Sequence, residues 1–220
     1  MKRLISTLMV VVALVSGVQA AELATGTGPY FGVKYADERY MPKEMDAQPM
    51  HIQNIGPVLG FEYEPTVTKI ELQGFYTRLQ IADAAMPGMS LESAGISGLG
   101  IEFSQGIRLT KTWDVKAGGF VNYVYHFRNF SQNFVIPTKE GDYPVKVKIP
   151  SLHQLRAGGI LQVKPLDMLM VHATGGYQLQ GGFLGGGASV KLGKVDVGVE
   201  YVYGTSDHRN SYTMSMAVHF

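Results

Sequence analysis

The fold class this sequence predicts is all-β, a transmembrane antiparallel up-and-down barrel of about ten strands. Three observations predict it. Apolar and polar residues alternate with period two from Tyr30 to Phe220, and no stretch repeats at the period of a helix. The connections between the alternating segments switch between short turns and longer irregular loops, which describes a meander whose two ends face different surroundings. Cysteine is absent while glycine reaches 27 residues, so strand pairing rather than disulfides must hold the chain.

The elements follow in order. Met1-Lys2-Arg3 is basic, Leu4 to Val15 is apolar apart from Ser6 and Thr7, and Ser16-Gly17-Val18-Gln19-Ala20 supplies small residues for a peptidase. Residues 1–20 read as a secretory signal, because the apolar run is shorter than the roughly 20 residues a membrane helix needs. Residues 21–220 read as one barrel domain, since no linker or charge run divides them. The balance of 19 basic against 18 acidic residues leaves a net charge of +1 and no electrostatic footprint for nucleic acid.

Ten strands are expected near residues 29–37, 53–63, 69–80, 96–109, 114–128, 152–164, 167–180, 183–192, 195–203 and 211–220. Short turns join them at Glu64-Pro65-Thr66-Val67-Thr68, Thr110-Lys111-Thr112-Trp113, Lys164-Pro165-Leu166 and Gly193-Lys194. Longer loops fall at 38–52, 81–95, 129–151 and 204–210, with Gly181-Gly182 as a tight hairpin on the same side. Within the third loop, residues 129–149 alternate well enough to continue as a hairpin past the membrane. A pattern of apolar-Gly-apolar-Glu-aromatic recurs at Leu59 to Tyr63, Leu99 to Phe103 and Val197 to Tyr201.

Face assignment separates lipid from lumen. One face collects Phe31, Val33, Leu59, Phe61, Leu72, Leu99, Ile101, Val121, Tyr123, Leu155, Leu161, Val171, Val199 and Tyr201, with Arg78 beyond Tyr76 on the same side. The opposite face collects the charges and many glycines. Apolar groups from ten strands, many of them aromatic, would overfill a small soluble barrel turned the other way. The apolar face therefore meets lipid, with Tyr63, Tyr125, Phe127, Tyr201 and Tyr203 at the interfaces.

The inward face predicts a lumen charge network of Lys34, Glu62, Glu71, Glu102, Arg108, Lys116, Arg156, His172, Lys191, Asp196 and Glu200. Apart from the histidine these are five cations and five anions, better suited to an ion-paired plug than to a selectivity filter. Met41, Met45, Met50, His51, Met86 and Met89 in the loops have no ligand spacing that recurs, and are read as adaptable contact surface rather than a metal site. No catalytic, cofactor or metal residue is assigned.

The signal ending Val18-Gln19-Ala20, the turn and loop alternation, the Gly-x-Glu-aromatic strands and the terminal Phe220 resemble the small bacterial outer-membrane barrels of the OmpA/OmpX/opacity type. Members of that group commonly have eight strands, which stands as the alternative count. The resemblance implies residence in a Gram-negative outer membrane among lipid and lipopolysaccharide. It also implies that Tyr212, Met214, Met216, Val218 and Phe220 form the signal read by the barrel-assembly machinery. Similar barrels include lipid A deacylases and omptin proteases, and Asp207, His208 and Ser211 sit at a rim where such chemistry occurs. Neither family's residue spacing is present, so the chain is not read as an enzyme. The expected function is a monomeric, plugged barrel with a structural or surface-binding role through its loops; a narrow channel is the alternative, and a surface hydrolase the third reading.

Overall fold

The computed structural model describes residues 22–40, 50–81, 90–92, 98–126, 130–138, 141–149, 152–178, 181–205 and 210–220. Residues 1–20, read above as a signal, most of the methionine loop, Met86, Met89, Phe127, Asp207 and His208 lie outside them.

Alternation produces strands wherever it was read. They are β1 (Thr27–Tyr40), β2 (Met50–Tyr63), β3 (Thr68–Ile81), β4 (Ser90–Glu92), β5 (Gly98–Thr110), β6 (Val115–His126), β7 (Phe130–Thr138), β8 (Gly141–Ile149), β9 (Leu152–Leu166), β10 (Leu169–Gln178), β11 (Gly181–Leu192), β12 (Val195–Gly204) and β13 (Asn210–His219). Ten of them close an antiparallel ring in the order β1, β2, β3, β5, β6, β9, β10, β11, β12, β13, with β13 returning to β1. Ten, not eight, is the strand count. The short β4 pairs along the loop end of β3, and β7 with β8 forms a separate two-stranded sheet within the third long connection.

Closure is what disposes of the chain's end. Tyr30 through Arg39 pair with His219 through Asn210, the Phe220 N–H donates to the Pro29 carbonyl at 3.2 Å, and the His219 N–H donates to the Lys194 carbonyl at 2.8 Å. An unpaired strand edge in hydrocarbon would strand a row of backbone polar groups, so the last strand must be zipped to its final residue.

The turns sit at the end of the ring that holds Phe220. Gly193 supplies the positive φ of 67° that the two-residue β11–β12 hairpin needs. At the β2–β3 turn Val67 itself takes φ 52°, accepts a hydrogen bond from the Gly106 N–H and buries its side chain. One connection differs from expectation: Gln178 pairs with Gly181 and Tyr177 with Gly182, so Gly181 and Gly182 belong to strand β11.

Burial is inverted relative to a soluble protein. Leu59 is 56% exposed and Leu72 51%, whereas Glu71 and Glu102 are 1% exposed. The outer surface carries Phe31, Leu99, Leu155, Leu161, Leu184, Val199 and Met214, with aromatic groups toward both rims: Tyr63, Trp113 and Phe220 at the turn end, Tyr123, Tyr177, Tyr201 and Tyr212 toward the loop end. A continuous apolar belt of this kind is stable in lipid and an aggregation hazard in water.

Candidate functional site

The lumen gathers the charged residues, and the local sequence explains how. In the Gly-x-Glu repeats the glycine makes room for a side chain arriving from a neighbouring strand. A Cβ on Gly60 would meet the Tyr30 ring at 2.2 Å, and one on Gly100 would meet Phe75 at 3.1 Å. Two residues on, Glu62 and Glu102 point the same way and are buried.

Glu71 is the hub of the first cluster. Its Oε2 accepts a hydrogen bond from the Tyr30 hydroxyl at 2.6 Å and lies 3.7 Å from the Lys69 ammonium, and its Oε1 accepts from the Lys34 ammonium and the Gln73 amide. Lys69 in turn reaches Glu62 at 4.0 Å and Glu22 at 3.6 Å.

Glu22 belongs to the chief feature that sequence reading missed. Residues 22–25 are not in a strand; they run inside the ring, with Leu23 and Ala24 wholly buried. Five strands hold this segment. The Leu23 N–H donates to Gln162 of β9 at 3.0 Å, and the Ser104 hydroxyl of β5 donates to the Glu22 carbonyl at 2.7 Å. Lys116 of β6 donates to the Ala24 carbonyl at 2.8 Å, Lys69 of β3 pairs with the Glu22 carboxylate, and Glu62 of β2 accepts from the Thr25 and Gly26 N–H groups at 3.0 and 2.9 Å. The void left between this segment, Tyr30, Lys34, Lys69 and Glu71 is about 40 Å³, room for a few waters.

Beyond the segment lies an apolar floor. Leu23, Val67, Phe120, Ile160, Phe183 and Val202 form one buried cluster inside the ring, with the two phenylalanine rings 6.1 Å apart. Arg156, on the loop side of Ile160 along β9, sets its guanidinium carbon 5.0 Å from the Phe120 ring and 4.9 Å from the Phe183 ring.

The other network residues divide into two groups. His172 and Thr174 approach Glu200 at 3.4 Å, and Asn122 donates to Glu102 at 3.1 Å, all inside the ring. Arg108, Lys191 and Asp196 belong to the mouth instead. Arg108 is exposed and pairs with Glu64 and Asp114 of the turns, Lys116 reaches the same Asp114 at 3.1 Å, and Asp196 pairs with His219 at 2.8 Å. Lys191 faces Asp196 in register but makes no ion pair with a described residue. Lys69 was legible in principle, because it shares the inward face with Glu71; Tyr30, Phe120 and Phe183 were not, because aromatic residues at inward positions break the apolar-outward rule.

No family model matches the chain, and no curated protein matches it by sequence. Solved structures do. The translocator domain of the autotransporter NalP from Neisseria meningitidis is similar at 14% identity, covering 89% of this chain and 90% of that one, with a TM-score of 0.48. An outer-membrane channel from Pseudomonas putida F1 is similar at 10% identity, covering 92% and 100%, with a TM-score of 0.47. Ail, the attachment invasion locus protein of Yersinia pestis, is similar at 11% identity, covering 88% and 99%, with a TM-score of 0.34. The likeness is one of fold.

Proposed function

We propose that this chain is an outer-membrane β-barrel whose lumen is closed to permeation and whose work lies in a structural or surface-binding role at its loop end. The observation that carries the reading is the buried segment 22–25, seated on an apolar floor and bonded to five strands. Ten strands stand near the filled end of barrel sizes, since about eight are filled by side chains and 16 to 18 leave an aqueous channel. Inside this ring the filling is done by backbone as well as side chains.

The separate sheet of β7 and β8 supports the surface role. Nine register pairs, from Phe130 with Ile149 to Thr138 with Gly141, build it in the connection between β6 and β9, and among the described residues neither of its strands pairs with the barrel sheet. Such edges are suited to strand addition by a partner. Neither catalysis nor a cofactor enters this reading.

Conductance of the folded full-length barrel in planar bilayers tests it. No steady openings are expected at any applied voltage that the bilayer survives. Sustained single-channel steps from the wild type would replace this reading with a narrow solute channel.

A further inference from the structure

We propose that the lumen beside Arg156 is a binding site for a small zwitterion of the α-amino-acid class, its acid group on the guanidinium and its ammonium group toward Glu102 and Glu200. The argument begins with donors. Arg156 is 5% exposed, and none of its three side-chain nitrogens has a hydrogen-bond partner among the described residues. A guanidinium stays charged in a protein and carries five N–H donors in its plane. The Phe120 and Phe183 ring centroids lie 5.0 and 4.9 Å from its central carbon, cation–π contacts that supply no oxygen acceptor to the donors. Leaving such donors unmet costs more than a neutral group would.

Unmet acceptors stand on the same lumen wall: Arg156 of β9 is in register with Asn122 of β6, and Asn122 with Glu102 of β5. Glu102 takes the Asn122 amide on Oε2, and its buried Oε1 has no partner; Glu200 faces His172 and Thr174 with Oε1, and its buried Oε2 has none. These two carboxylates and Glu38 are the acids that act on Arg156 electrostatically. The buried amide nitrogen of Gln154, the inward residue next to Arg156 on β9, is also without a partner.

Charge selects the ligand class. A simple anion drawn to Arg156 meets three carboxylates, and a simple cation drawn to the carboxylates meets the guanidinium. A neutral molecule carrying both charges satisfies both sets without adding net charge to a low-dielectric lumen. It would enter from the loop end, since residues 22–25 and the apolar floor close the other side of Arg156.

The test is amide chemical-shift titration of the full chain folded in detergent micelles, with glycine as the zwitterion and acetate and methylammonium as its two halves. Glycine should give saturable shifts, and each half should bind about tenfold more weakly or worse. Arg156→Leu, checked as folded by heat-modifiable gel mobility, should abolish the response. Glu102→Gln, which keeps the volume, should weaken glycine about tenfold and serves if the leucine variant does not fold. The proposal is overturned if glycine shows no saturable shift, leaving water as the only occupant, or if either folded variant binds it as the wild type does. A conducting wild type would overturn the closed-lumen reading and leave this result standing.

Discussion

Two regions of one lumen treat buried charge in opposite ways. Around Glu71 each cation has an acceptor: Lys34 and Lys69 on the carboxylate, and Lys116 on the Ala24 carbonyl and Asp114. Around Arg156 the same chemical types sit close together with donors and acceptors unmet. The difference is the segment 22–25. Where that segment enters, its backbone carbonyls and N–H groups fill the gaps that side chains on a curved wall leave; beyond the apolar floor no described segment does the same. Satisfied networks of this kind add rigidity, whereas partly satisfied ones are where ligands and water do their work.

The largest effect is expected from removing the filler. Replacing Glu22–Thr25 with Gly-Ser-Gly-Ser should cost more than about 5 kcal/mol, since a buried leucine is worth about 2–5 and freed buried charges about 3–5. Urea titration of the heat-modifiable folded fraction in vesicles reads this out. A cost below about 1 kcal/mol would mean that the segment only occupies space. Next comes Glu71→Ala, which leaves Lys34 and Lys69 facing each other without their shared carboxylate; a loss of about 3–5 kcal/mol is expected. Glu71→Gln should recover part of it, because the amide oxygen still accepts from Tyr30 or Lys34.

A smaller effect on the finished barrel is expected at the end of the chain. Phe220 is 73% exposed and contributes one backbone hydrogen bond, so its deletion should cost about 1 kcal/mol of stability. The rate of assembly in cells should fall far more if the terminal pattern of Tyr212, Met214, Met216, Val218 and Phe220 is read by assembly machinery. Equal losses in both measurements would mark Phe220 as an anchor and nothing else.

The two regions were not equally legible in the sequence. Outward positions were plain because lipid selects apolar groups along all ten strands: Leu59, Leu99 and Val199 all face out, and each strand was located within a few residues. Inward positions obey no such rule. A lumen accepts Glu71, Tyr30 or Gly60 according to what the neighbouring strand brings, so partners depend on register across strands distant in sequence. Residues 22–25 carried no period at all; four residues between an expected signal and a strand look like a linker, and only the closed ring shows that they are its contents. Arg108 was placed inside by alternation, yet a strand running to the rim delivers it to the turn acids Glu64 and Asp114.

The smallest effect should come from the most conspicuous buried cation. Arg156→Leu removes a guanidinium that makes no hydrogen bond with a described residue, so there is no bond to lose. Its cation–π contact with Phe120 and Phe183 is worth about 1–2 kcal/mol, and the leucine recovers apolar contact with the same rings. Removing the charge also ends its desolvation cost, against which stands the lost attraction to Glu102 and Glu200. These terms nearly cancel, and the change in stability should lie within about 1 kcal/mol of zero. Glu71 and Arg156 are equally buried charges, so the comparison turns on this pair of variants. A loss at Arg156 matching the loss at Glu71 would show that both regions are saturated in the folded protein, and the contrast between them would vanish.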